Sequence, residues 1–266
     1  MLVETRQRAD WLTMAGWGLL LMPLLTMWHE IGGHAAACAV QGGHVATIGA
    51  FYVECTGLSG WPNAVVACAG VVLNAALSLG AHCRWRRARG ETARLVLWLV
   101  WVSEAFVATG YFCFSGVTGA GDLGTGAHGE LAGLPMPLAW RLGEVAVGVV
   151  SYVLVVRAGI AGLSAMLGTG AVTRPARRRI AHAFYFAAGL GAVLVGVLNP
   201  VGLFVTIMSA AASSFGGLAG YISLGFAARG ADAPLEFVVA RDWAVVGGGV
   251  LVLTTFAIVL GPSVRL

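Results

Sequence analysis

The chain has 266 residues, of which 58% are hydrophobic and only 11% charged. A soluble domain carries about 25% charged residues, so this chain lacks the polar surface to face water on every side. Its net charge of +4 comes from arginines gathered between apolar runs, a pattern of membrane topology and not of a nucleic-acid-binding face, so no nucleic-acid partner is expected.

A spanning helix needs about 20 apolar residues. In chain order the candidates run over residues 11–41, 62–83, 93–115, 137–167, 181–198, 199–227 and 243–262. They predict an all-α polytopic membrane protein of about six to seven transmembrane helices, folded as a single membrane domain over 1–266. The first run follows Arg6 and Arg8 but has no convincing cleavage site, so it reads as a retained span and not as a signal peptide. The 39 glycines lie mostly inside apolar runs, where they let helices approach closely. The five cysteines include no C-x-x-C pair and read as small packing residues with no disulfide framework.

After the first run, residues 43–61 do not follow a helix pattern; GGHVATIGAFYVECTG (residues 42–57), with β-branched and aromatic residues bounded by glycines, reads as a short strand or hairpin. The stretches RWRRARGE (residues 84–91) and TRPARRR (173–179) are strongly basic, whereas residues 116–137 contain no arginine. Positive-inside reasoning puts the two basic loops in the cytoplasm and the 116–137 loop outside, with the N-terminus inside. In the balance at that terminus, Arg6 and Arg8 stand against Glu4 and Asp10. The fifth and sixth runs meet at Asn199-Pro200, a tight turn. Arg141 and Glu144, three apart, are expected to pair. Arg157 is expected to snorkel, and residues 209–220 to form a small-residue packing face.

The chemistry sits in HEIGGH, residues 29–34, inside the first apolar run. Ionisable groups within a membrane are costly and mark functional sites. His29 and His34 offer imidazoles to a metal, and the adjacent Glu30 is placed as the general base for an activated water. The histidines are five apart, offset by about 140° on a regular α-helix, whereas four apart gives about 40°. A π-bulge would return them to one face, and Gly32-Gly33 is where a helix deforms most readily. Asp122, the acid in a Gly-rich, Arg-free segment, is the expected third ligand. His44 is an alternative, and His128 and Glu130 are weaker ones. Glu54 and Glu104 are candidate partners for an imidazole N–H. Asn74, mid-span among small residues, reads either as an oxyanion donor or as interhelical glue.

These stretches resemble the site-2-type intramembrane zinc metalloproteases, in particular their bacterial membrane peptidase-like branch. HEIGGHAAACAVQGGHV is similar to the H-E-x-x-H helix running into a Gly-rich strand. VACAGVVLNAALSL (residues 66–79) is similar to the family's A-G-x-x-x-N span, and the Gly-Asp of FCFSGVTGAGDLG (112–124) to the carboxylate-ligand position. The resemblance covers residues 11–126 as a metalloprotease core, with 137–262 as additional helices. It implies a Zn2+ cofactor held by His29, His34 and Asp122, with Glu30 and Asn74 catalytic. It further implies hydrolysis of membrane-protein or peptide substrates in or near the bilayer of a bacterial inner (plasma) membrane. Two other readings stay open: a transporter or scaffold that keeps a degenerate protease core, and a zinc hydrolase acting on something other than peptide.

Overall fold

The apolar runs are helices, and a computed structural model describes them over residues 7–266. Glu4 and Arg6 lie outside the described residues. Helix α1 (Trp11–Val40) is followed by α2 (Trp61–Trp85), α3 (Glu91–Thr118), α4 (Pro137–Leu167), α5 (Arg174–Gly196), α6 (Leu203–Phe226) and α7 (Trp243–Val259). Six of these are long and apolar enough to cross a bilayer, which makes this a multi-pass membrane protein. The seventh, α7, has 17 residues, about 26 Å of helix and the short end of the spanning range.

Short strands show that α7 nevertheless runs the full way between the two ends of the bundle. At one end, β1 (Gln7–Ala9) pairs in parallel with β6 (Phe237–Val239), just before α7 begins. Beside them β4 (Gly168–Thr169) pairs with β5 (Ala233–Pro234), tied to β1 through the Gln7 amide. At the other end the expected hairpin is present as β2 (His44–Ile48) and β3 (Val53–Thr56). The chain's last strand, β7 (Val264–Arg265), adds to β2 after α7. The order β3-β2-β7 leaves β3 as an edge strand.

Small residues set the helix spacing, as packing without a hydrophobic driving force requires. A Cβ on Gly18 would lie 2.6 Å from the Phe184 carbonyl of α5, and one on Gly16 would lie 2.9 Å from Val246 Cα of α7. Between α3, α5 and α6 the core is aromatic: Trp98, Phe106, Phe184 and Tyr221 are all buried. The outer face of α4, with Val149, Val150, Val153 and Leu154 exposed, is left for lipid.

Three expectations are corrected. Cys38, in the last turn of α1, and Cys55, in β3, form a disulfide; Cys68, Cys83 and Cys113 are free. The hairpin folds β3 back over the helix end, a closure that cysteine spacing alone does not reveal. Arg141 does not pair with Glu144. It donates to the carbonyls of Gly116 and Val117, at the end of α3 where a helix leaves its last acceptors unmet. The fifth helix starts at Arg174, so TRPARRR lies largely within its first turns and not in a loop, and Arg177 there is buried, bonded to Thr173, Ser164 and Gly168. The turn at Asn199-Pro200 is as expected, with the Asn199 side chain accepting from Val201 and Gly202.

Candidate metal centre

Residues Trp28–Ala35, which contain HEIGGH, form a π-helical segment inside α1. The wider turn does what the five-residue spacing demanded, bringing His29 and His34 onto one face. Their Nε2 atoms lie 3.0 Å apart. Gly33 packs backbone to backbone on α2, where a Cβ would meet Gly70 Cα at 2.7 Å. Gly70 in turn lies under the imidazoles: a Cβ there would sit 2.5 Å from His29 and 2.6 Å from His34 Nε2. The Gly of the A-G-x-x-x-N stretch is therefore what admits the two rings.

The third group arrives from the loop after α3. Gly119 and Gly121 adopt left-handed backbone, with φ of 73° and 79°, and fold the segment back on itself. Asp122 Oδ2 then lies 3.1 Å from His29 Nε2 and 3.3 Å from His34 Nε2. Burial pushes the Asp122 carboxyl up, but the adjacent His34 and His29 outweigh it and hold it below the usual carboxylate range. It is thus an anion at neutral pH, as a ligand must be.

The three atoms outline one face of a coordination polyhedron. A tetrahedral ion with bonds of about 2.0–2.1 Å has ligand–ligand edges of about 3.3–3.4 Å, and the observed edges of 3.0, 3.1 and 3.3 Å are close to that. Glu30 is also buried, and His29, Glu30 and His34 can offer ligand atoms all within 4.8 Å of one another, a cluster able to hold a metal ion. Asp122 Oδ2, at 3.1 and 3.3 Å from the two Nε2 atoms, lies against the same pair of imidazoles.

The nitrogens away from this centre are fixed as metal-binding imidazoles usually are. His34 Nδ1 donates to the Val66 carbonyl at 2.8 Å. With the Asn74 amide turned so that its oxygen faces the ring, which satisfies every partner, His29 Nδ1 donates to Asn74 Oδ1 at 3.0 Å, and the Asn74 amide donates to Glu104 at 3.1 Å and to the Gly70 carbonyl at 3.2 Å. In this orientation of the amide both Asn74 N–H groups are engaged within the bundle. Asn74 thereby ties α2 to α3, as the interhelical reading expects, and also orients His29.

The rival ligands stand outside the cluster, although His128 and Glu130 line a cavity that reaches Glu30, His34 and Asp122. His44 is exposed at the start of β2, and Glu54 is exposed, accepting from Thr47 at 2.8 Å. His128 is exposed and packs against Phe204, while Glu130 is also exposed. Sequence reasoning missed Tyr111 of α3, whose ring stacks on His29 at 5.1 Å and 9° and whose hydroxyl lies 3.3 Å from His29 Nε2.

Three cavities meet here. A small one of about 70 Å³ is lined by His29, Glu30, Asn74 and Glu104. A larger, mainly apolar one of about 470 Å³ runs from Tyr111 and Asp122 to Met208 and Ala212 of α6, so residues 209–220 line a cavity as well as packing. A third, of about 220 Å³, joins Glu30, His34 and Asp122 to Val53 and Cys55 of β3. The fold and this cluster define a class: a multi-pass membrane protein with a buried His/Glu group able to hold a metal. Among known proteins, no family model, no curated sequence and no solved structure matches the chain.

Proposed function

We propose that the protein is a membrane-embedded zinc endopeptidase that cleaves polypeptide in or at the edge of the bilayer. The observation that carries this is the close grouping of His29, His34 and Asp122, with a Glu30 carboxylate oxygen within 4.8 Å of the histidine nitrogens. Two imidazoles and one carboxylate are a catalytic zinc set that leaves a position open. Zinc, when bound, polarises a carbonyl and lowers the pKa of water. Glu30 takes a proton from the attacking water as its oxygen bonds to the carbonyl carbon, and gives that proton to the amine as the C–N bond breaks. Asn74 and Val66 keep the imidazoles aimed, and Asp122 supplies the negative charge that a dication calls for.

The substrate is an extended apolar segment. The 470 Å³ cavity beside Asp122 suits apolar side chains. The edge strand β3, whose Val53 and Cys55 line the neighbouring cavity, suits main-chain pairing by strand addition. A bound helix would bury its scissile carbonyls in its own hydrogen bonds, whereas an added strand presents them. Zinc analysis of the purified protein tests the reading. About one zinc per chain is expected, lost in a His29→Ala/His34→Ala double variant, together with wild-type cleavage of a co-expressed single-span reporter. A metal-free wild type that leaves the reporter intact would favour the scaffold or transporter.

The site opens on the outer face. Among the described residues, the end of the bundle that holds the site carries Arg141 and Arg265, while Arg84, Arg86, Arg87, Arg89, Arg174 and Arg178 lie at the opposite end. Disulfides persist in oxidising compartments, and Cys38–Cys55 is on the site's end. With the free cysteines replaced, a membrane-impermeant thiol reagent should label the exposed Ala132→Cys in intact cells. It should label the exposed Ala171→Cys only after permeabilisation. The opposite pattern would put the site on the cytoplasmic side.

A further inference from the structure

We infer that Tyr111 is a catalytic residue, the hydrogen-bond donor to the oxyanion that forms when water adds to the scissile carbonyl; this rests on the peptidase reading above. The hydroxyl of Tyr111 lies 3.3 Å from His29 Nε2, the same length as the edge from His34 Nε2 to Asp122 Oδ2. His29 presents Nε2 to the metal because Nδ1 is held by Asn74. With that Nε2 lone pair taken up by a metal, the phenol would have no acceptor there, and its O–H would be free to donate to a carbonyl oxygen brought beside the imidazole. Near-parallel stacking on His29 fixes the ring, so the hydroxyl is placed before substrate arrives. Preorganised donors of this kind are the largest single source of stabilisation in acyl transfer.

Neither of the other polar groups closest to the imidazoles is free for the role. Asn74 is committed to Glu104 and Gly70, and Glu30 is needed as the base. Tyr111 also lines both the cavity that holds Glu30 and the apolar cavity proposed for substrate, so a carbonyl between them passes its hydroxyl. In the addition step the water oxygen bonds to carbon, the C=O electron pair moves onto oxygen, and the phenol O–H donates to that oxygen without transferring its proton. When the C–N bond breaks, the pair returns to C=O and the hydrogen bond weakens again.

Tyr111→Phe keeps the stacked ring and removes only the hydroxyl. Zinc per chain should stay at the wild-type level, while kcat on a quenched fluorogenic peptide falls about 10²–10³-fold with KM nearly unchanged. Affinity for a peptidyl phosphonate, a tetrahedral anionic mimic, should fall by a similar factor, whereas affinity for the uncleaved peptide in the Glu30→Gln background should not. Tyr111→Leu, which also removes the stack, should in addition lower zinc content. Unchanged kcat and phosphonate binding in Tyr111→Phe, with an active zinc-loaded wild type, would overturn this role and leave the peptidase reading standing. Loss of zinc from Tyr111→Phe would overturn it too, by making the phenol a ligand. A wild type with neither zinc nor cleavage would instead overturn the peptidase reading itself.

Discussion

Glu30→Gln is expected to keep its zinc and to lose cleavage by several orders of magnitude. The amide has the size of the carboxylate, and the proposed ligand set of His29, His34 and Asp122 does not need it, so occupancy should be close to wild type. The amide oxygen cannot take up a proton at neutral pH. General-base catalysis alone contributes about 10²–10⁴-fold, and the same group is needed to protonate the leaving amine, so the loss should sit at or beyond the upper end of that range. Asp122→Ala should behave in the opposite way, releasing zinc because one of three ligands is gone and leaving two imidazoles with no anion beside them. The check is zinc per chain measured on the same preparations as reporter cleavage. A Glu30→Gln protein that loses zinc as Asp122→Ala does would make Glu30 a ligand, in line with the cluster it forms with the two histidines. A Glu30→Gln protein that cleaves like wild type would remove the peptidase reading.

The parts of this site that were legible in sequence are those whose signal is local. Histidines five apart with two glycines between them demand a wider helical turn, and the π-helical segment Trp28–Ala35 is that turn. Asp122 stood out as an acid among glycines, and those glycines proved to be the means of folding it back toward α1. The hairpin announced itself through β-branched residues between glycines. What was hidden depends on contacts between distant segments. Tyr111 lies 82 residues from His29 on an apolar helix, where one more aromatic carries no signal. Asn74 was visible but its direction was not, because that is decided by Glu104 on another helix. Cys38 and Cys55 meet only because the hairpin doubles back, and Val264–Arg265 becomes a strand only because α7 returns the chain to the site's end.

Deleting Gly33 should abolish zinc binding and destabilise the protein together, although it writes H-E-x-x-H into the sequence. On a regular helix the shortened spacing suits a metal, with the histidines offset by about 40°. But everything C-terminal to the deletion, beginning with His34, turns by about 100° and moves by about 1.5 Å relative to the preceding helix. Gly33 rests on Gly70 so closely that a Cβ would lie 2.7 Å from it, and the deletion slides a different residue into that contact. If Ile31 or His34 is pressed toward α2, the helices must part, and Gly70 no longer lies under the imidazoles. The same rotation carries Cys38 away from Cys55, breaking the tie between the metal helix and the edge strand. His34 also loses the Val66 carbonyl that fixes its ring. The π-helical turn is therefore built into the packing on its far side, and shortening the motif satisfies the histidines at the expense of every neighbour. The measurement is zinc stoichiometry with thermal unfolding in detergent, set against Gly32→Ala, whose added methyl meets the end of Leu73 at 3.1 Å and the Trp28 ring at an ordinary 3.7 Å and should be far milder. A Gly33 deletion that binds zinc as tightly as the parent and unfolds at the same temperature would show that a regular helix serves this site equally well.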